Sequence, residues 1–228
     1  MNWKKEYKEC LLNNKYMLEK YILKNDLWQT QKDLLNIILE NKLTIVTKSR
    51  DVGFTSLVSA LSAREIALNS EKKVSILYIS QNAMMNGEFK NKLKNHLKNI
   101  PEELFTGEEP YHIQTCDIDN YQNKIIGEEF FDIIIIDEPV VLNDNIDVVK
   151  LVDFLVCKGN KIIIGGVGNY KNKTWFDFIS MNKDNTPYII MPWFSNPNHK
   201  GLKKTYFYNN TDNYEEEYEC KVFKKVYI

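Results

Sequence analysis

The run Ile133-Ile134-Ile135-Ile136, preceded by Phe130-Phe131-Asp132 and stopped by Asp137-Glu138-Pro139, limits the possible folds of this chain more than any other stretch. Side chains along a strand point alternately to its two faces, so a strand that is apolar at consecutive positions leaves no face for water. It must be covered on both sides, which implies the interior of a mainly parallel sheet with helices above and below. The run ends in two carboxylates, at the end of a parallel sheet where functional loops gather. Acids also end many strands merely because they are solvated there, so this stretch needs a second one to carry chemistry.

That second stretch is Thr44-Ile45-Val46-Thr47-Lys48-Ser49-Arg50-Asp51-Val52-Gly53-Phe54-Thr55-Ser56, followed by helix-favouring residues from Leu57 to Leu68. It reads as strand, loop, helix, an arrangement that aims backbone N–H groups and a helix N-terminus at a phosphate such as the β-phosphate of a nucleotide. Against the pattern G-x-x-x-x-G-K-[ST], Gly53 and Thr55 match, while Lys48 replaces the first glycine and Phe54 the lysine. The positive charge has moved from the end of the loop to its start, where Lys48 could fold back over the phosphates with Arg50 as a second cation. Alone, the stretch suits either a phosphate loop or a plain strand-turn-helix corner. Paired with an apolar strand ending in Asp-Glu, it reads as a Walker A and Walker B pair. Asp137 is then placed to hold Mg²⁺ through a water together with Thr55, and Glu138 to orient and deprotonate an attacking water.

The rest of the chain fits around these two stretches. Residues 4–24 carry apolar side chains at near-helical spacing and predict an amphipathic helix over one side of the domain. Thr30 with Asp33 resembles the start of a helix running through Leu34 to Leu39. Just upstream of the loop, Gln31 can donate to and accept from an adenine edge, and Trp28 offers a flat ring. Residues 73–80 predict a strand and 81–99 a lysine-rich helix on which Lys90, Lys94 and Lys98 share a face. Residues 111–126 predict a strand or hairpin, 148–157 a helix, and 161–164 a buried strand. The segment Gly165-Gly166-Val167-Gly168-Asn169 either turns the chain after that strand or brings Asn169 to a γ-phosphate or a water. A helix is expected from Thr174 and a strand over 188–191.

Composition excludes some classes of function. With 30 basic and 31 acidic residues and a net charge of -1, no global field draws a nucleic acid, so any DNA contact must come from local patches. The lysine faces Lys90, Lys94, Lys98 and Lys200, Lys203, Lys204 are the candidates. Cys10, Cys116, Cys157 and Cys220 form no C-x-x-C pair, which points to a reducing compartment and argues against a zinc site. No apolar run approaches the roughly 20 residues of a bilayer span, and a cytoplasmic location is expected.

Together these residues resemble the ATPase domain of the large terminase subunit, the DNA-packaging motor of tailed phages. One branch of that family has a deviant phosphate loop with its lysine at the front and an apolar residue before Ser or Thr, as in Lys48 to Thr55 here. Gln31 matches its adenine-contacting glutamine, Ile136-Asp137-Glu138 its Walker B and catalytic glutamate, and Gly166, Gly168 and Asn169 fall in its coupling region. Trp175-Phe176 and Pro192-Trp193 also resemble family landmarks. The coupling segment lacks the Ser or Thr often found there, and Asp51 stands where many members carry glutamine.

The resemblance implies an α/β P-loop NTPase of the ASCE or recA-like kind, with a mainly parallel central sheet flanked by helices. It implies catalytic roles for Glu138, Asp137 and Arg50, ATP binding by Gln31 and by Lys48, Ser49, Arg50, Asp51, Val52, Gly53, Phe54 and Thr55, and Mg²⁺ at Thr55 and Asp137. Double-stranded DNA, a portal and a small terminase subunit are the implied partners, with a ring formed only on the procapsid. The expected layout is an N-terminal helical segment (1–26), the ATPase domain (27–200) and a segment (201–228) leading towards a nuclease domain that this chain does not contain. A helicase-like ATPase and a catalytically weak nucleotide-binding module are the competing readings.

Overall fold

The computed structural model describes residues 3–14, 17–105, 110–125, 130–139, 148–167, 178–179, 182 and 185–199. At its centre are β1 (Leu43–Lys48), β2 (Val74–Ser80), β3 (Tyr111–Asp117), β4 (Phe131–Asp137), β5 (Gly159–Val167) and β6 (Tyr188–Met191). They form a six-stranded sheet in the order β3-β2-β4-β5-β1-β6, with each pairing parallel. β5 therefore lies between β1, which leads into the loop, and β4, which ends in the carboxylates. The register sets Lys48 opposite Val167 and Asp137 opposite Gly165, so β1 runs about two residues past the level of Asp137.

The helices are α1 (Trp3–Asn13), α2 (Gln29–Glu40), α3 (Phe54–Leu68), α4 (Ala83–Leu97), α5 (Tyr121–Lys124) and α6 (Val148–Val156). The isoleucine run divides as its alternation requires. Ile133 and Ile135 join Val46, Ile76 and Tyr78 in a core with α2, α3 and α4. Ile134 and Ile136 join Ile45, Leu77, Ile79, Ile162 and Ile164 in a second core with α6. Each fully buried isoleucine contributes roughly 1.5–3 kcal/mol, so β4 anchors both layers. Among the described residues no helix is long and apolar enough to cross a membrane.

Several elements differ from the sequence expectation. The single helix expected over 4–24 is two pieces, α1 and a π-helical turn at Glu19–Leu23. Leu11 from the first piece, Leu18 just before the second and Ile22 within it are all fully buried in the α3 side of the core. The break lets two short segments follow that surface. The buried guanidinium of Arg64 closes the first piece by donating to Leu11 O from Nε (3.2 Å) and Nη2 (2.9 Å), satisfying a carbonyl at a helix end. The helix cap is not Thr30. α2 starts at Gln29 with Trp28 as its N-cap, because Gln31 Oε1 reaches back to accept from Trp28 N–H at 3.1 Å. At the other end of α2 the Lys161 ammonium donates to the carbonyls of Ile38 and Asn41, and burial holds its pKa below the usual lysine value.

Residues 111–117 form one edge strand parallel to β2, with no hairpin. α4 supplies the crossover that a parallel neighbour needs. β5 is longer than expected and contains Gly165 and Gly166 as paired strand residues, so neither turns the chain. Gly165 is small for a packing reason: a Cβ there would lie 2.4 Å from Cζ of Phe54, whose buried ring lies across β5. Gly168, Asn169, Trp175, Phe176, Lys200, Lys203, Lys204 and the segment 201–228 lie outside the described residues.

The packing of Phe54 on Gly165 yields a stability prediction. Gly165→Ala overpacks the Phe54 ring and should lower the unfolding free energy by about 1–3 kcal/mol in urea denaturation. Adding Phe54→Leu should recover part of the loss, because it removes the ring edge that the new methyl meets. Additive losses in the double variant would show that the two side chains do not compete for one space.

Candidate active site

The site is built where β1 and β4 end. After Lys48 the chain leaves the sheet through Ser49 to Gly53, and α3 begins at Phe54. Asp51 (φ 58°) and Gly53 (φ 74°) are both left-handed, the type of backbone from which anion-binding concavities are made. The loop is fastened at three points. Ser49 N–H donates to Met191 O at 2.8 Å, Asn196 Nδ2 donates to Asp51 O at 2.8 Å, and Gln31 Nε2 donates to Val52 O at 3.1 Å. Gly53 leaves room for that glutamine, since a Cβ would lie 2.4 Å from Gln31 Nε2. α3 begins directly after this loop, and the N–H groups of a first helical turn have no partner within their own helix.

Beneath the loop is a buried cluster of charges. Lys48, 5% exposed, donates from Nζ to Glu138 Oε1 at 2.9 Å and lies 3.3 Å from Asp137 Oδ1. Asp137 is fully buried, and its Oδ2 accepts from Thr55 Oγ1 at 2.8 Å and from Tyr78 OH at 2.9 Å. Its Oδ1 has no hydrogen bond. Burial acts to lower the Lys48 pKa, but the charges of Asp137 and Glu138 outweigh it, and the ammonium titrates above the usual lysine value. Burial first, then the Asp137 charge, push the Tyr78 hydroxyl far above its ordinary range, so it remains a donor. Glu138 has φ 56°, a left-handed conformation that costs a non-glycine residue of order 1–3 kcal/mol. Its N–H is anchored to Gly165 O at 2.7 Å, which holds the strained residue at the strand end.

A cavity of about 780 Å³ opens over this cluster, lined by Trp28, Gln31, Lys48, Gly53, Thr55 and Glu138 among others. The volume lies within the range of small-molecule sites, and the wall carries both an aromatic plane and an N–H-rich loop. Arg50, Ser49, Asp51, Val52 and Phe54 also line it. Gln31 retains one amide N–H and one oxygen lone pair beyond its two bonds to protein, enough for an adenine edge. Thr55 and Asp137 supply a hydroxyl and a carboxylate with an unbonded oxygen, a donor set suited to a hard divalent cation such as Mg²⁺.

The structure thus brings Gln31, the whole loop from Lys48 to Thr55, Asp137 and Glu138 to one cavity wall or directly beneath it. The Phe54 ring points away from the loop into the core, with the Lys48 ammonium 5.5 Å from its centroid. Gly166 lies within β5 opposite Thr47. Sequence reasoning missed Tyr78, which bonds Asp137, and Asn196, which holds the loop at Asp51 O. Tyr78 sits among apolar strand residues and carries one weak signal, a phenol in a buried strand that must find a hydrogen-bond partner.

No family model matches the sequence. Solved structures do resemble the fold. The large terminase ATPase domain of Thermus phage P74-26 aligns with a TM-score of 0.61 at 13% identity, over 89% of this chain and 96% of that one. The large terminase of the thermophilic bacteriophage D6E in complex with ADP aligns with a TM-score of 0.58 at 11% identity, over 86% of this chain and 53% of that one. For the large terminase of bacteriophage HK97 the TM-score is 0.55 at 13% identity, over 76% of this chain and 42% of that one. This chain therefore spans about half the length of the D6E chain and less than half of the HK97 chain. The likeness shows that this chain shares the fold of those domains, an α/β arrangement with a parallel central sheet flanked by helices.

Proposed function

We propose that this chain is an ATP hydrolase of the large terminase kind, whose turnover drives double-stranded viral DNA into a procapsid in the host cytoplasm. The observation that carries the reading is the set of Lys48, Thr55, Asp137 and Glu138 side chains joined beneath a left-handed loop at a helix N-terminus. The ADP bound in the D6E structure supports a nucleotide as the ligand of the same fold.

In this reading the loop N–H groups and the start of α3 bind the β-phosphate, and Gln31 with Trp28 receives the adenine. Lys48 exchanges its ion pair with Glu138 for the phosphates, which frees that carboxylate to orient a water and take its proton. Thr55 and Asp137 would hold Mg²⁺, which when bound neutralises charge building on the phosphate oxygens. Arg50, exposed on the loop, adds a second positive charge at the mouth. Phosphoryl transfer needs little covalent work from the protein, so positioned charge is sufficient chemistry for these residues. Double-stranded DNA, the portal and the small terminase subunit are the proposed partners, with the ring assembled on the procapsid.

Glu138→Gln should lower ATP turnover by about 10²–10⁴ while nucleotide affinity stays near wild type. Steady-state hydrolysis and fluorescent-nucleotide titration measure the two separately. An unchanged rate would remove Glu138 as the base.

Lys48→Met leaves two buried carboxylates without their cation and should cost about 3–5 kcal/mol of stability, part of which Glu138→Gln restores. The same Lys48 variant should lose ATP affinity, whereas Phe54→Leu should retain it. Equal, small effects at both positions in folded variants would show that the front lysine is not a phosphate ligand.

For DNA, Lys94 near the end of α4 and Lys98 just after it are exposed, and Lys90 in its middle is half-exposed. Hydrogen bonds and ion pairs to backbone phosphates read no sequence, as a motor that moves every sequence requires. Replacing the three by alanine should weaken sequence-indifferent DNA binding and flatten its log–log salt slope by about 0.9 for each phosphate that is no longer neutralised. A slope unchanged in the triple variant would exclude this face.

A further inference from the structure

Asp137 receives two hydrogen bonds on one oxygen, from donors of different character. Thr55 stands on the wall of the cavity, where its hydroxyl is also a ligand for an incoming cation. Tyr78 does not line the cavity. It reaches Asp137 Oδ2 from inside the core at 2.9 Å, and its side chain is fully buried. Its ring is held by stacking on Phe89, with centroids 4.1 Å apart and planes 9° from parallel. Phe89 is itself fully buried on α4. β2 pairs in parallel with β4 so that Tyr78 is opposite Ile135 and Ser80 opposite Asp137. The phenol thus rises along the same face of the sheet to the carboxylate at the strand end.

We propose that Tyr78 is the positioning residue for Asp137: its hydroxyl holds Oδ2 from the core side and fixes the rotamer that keeps the carboxylate beside Thr55, where the cation would sit. The proposal rests on the reading of Thr55 and Asp137 as the Mg²⁺ holders. When Thr55 turns its hydroxyl to the cation, Tyr78 is the donor that remains on Asp137, and the stacked ring leaves that donor one direction in which to point. A carboxylate without such a partner rotates about its side-chain torsions and divides its time between Lys48 and the cation. Hydrogen bonds of this kind behind a metal ligand set affinity, and their loss typically costs about 10–100-fold.

Tyr78→Phe removes the hydroxyl and keeps the ring stack. In electron paramagnetic resonance titrations of Mn²⁺ with ADP present, the variant should bind the ion about 10-fold more weakly than wild type. Its affinity for ADP without metal should be unchanged. Wild-type Mn²⁺ affinity in Tyr78→Phe, alongside weakened binding in Asp137→Asn, would overturn the role of Tyr78 and leave the nucleotide site standing. If neither wild type nor Asp137→Asn shows ADP-linked Mn²⁺ binding, the reading of the site itself fails. Should Tyr78→Phe not fold, 3-fluorotyrosine at position 78 of the otherwise unchanged chain gives a second reading. Its fluorine resonance should shift when Mg²⁺ and ADP are added together but not with ADP alone, and an unmoved resonance would overturn the proposal.

Discussion

A single ammonium between two carboxylates, all three buried at the ends of two parallel strands, is the interaction on which this site depends. Taking Asp137 fully out of water costs several kcal/mol unless it is paired and hydrogen-bonded. Lys48 supplies the charge, and Thr55 and Tyr78 supply the hydrogen bonds. The pairing is possible because β5 separates β1 from β4 by one strand. The long lysine side chain spans that gap at the carboxyl end of the sheet.

The same geometry explains the altered loop. With the lysine at the end of β1, the position before Thr55 no longer needs a charge and faces the core. Phe54 fills it, and the ring lies over Gly165 so closely that no side chain fits on β5 at that point. Two departures from the usual pattern, a front lysine and a phenylalanine, are therefore one change seen twice: the cation has moved and an apolar residue has closed the space. Gly165 also accepts the hydrogen bond from Glu138 N–H, so packing of the loop and anchoring of Glu138 meet at one residue.

Of the three left-handed non-glycine residues among those described, Lys24, Asp51 and Glu138, two are at the site. Asp51 and Glu138 hold left-handed backbones that their side chains disfavour. Each is held by bonds from elsewhere in the fold, Asp51 through Asn196 and Glu138 through Lys48 and Gly165. Met191 O at the end of β6 and Asn196 just after it thus reach the loop between β1 and α3, a mechanical link between the sheet edge and the site.

Much of this was legible in the chain itself. Four consecutive isoleucines require a strand covered on both faces, and an Asp-Glu end paired with a Gly-x-Thr loop points to nucleotide chemistry, because both patterns are local in sequence. The spacing also located α3, β2, α4 and β6 closely. Tertiary structure decided what depends on distant partners. It broke the N-terminal helix so that Leu11, Leu18 and Ile22 reach one core, and it moved the cap of α2 to Trp28 through a side chain that reaches backward. Gly165 and Gly166 belong to a strand, and the smallness of Gly165 answers to Phe54, a residue far away in the chain. Tyr78 was invisible as a functional residue for the same reason: alternation says which face of a strand a side chain takes, and only parallel pairing of β2 with β4 says that a carboxylate waits at the end of that face.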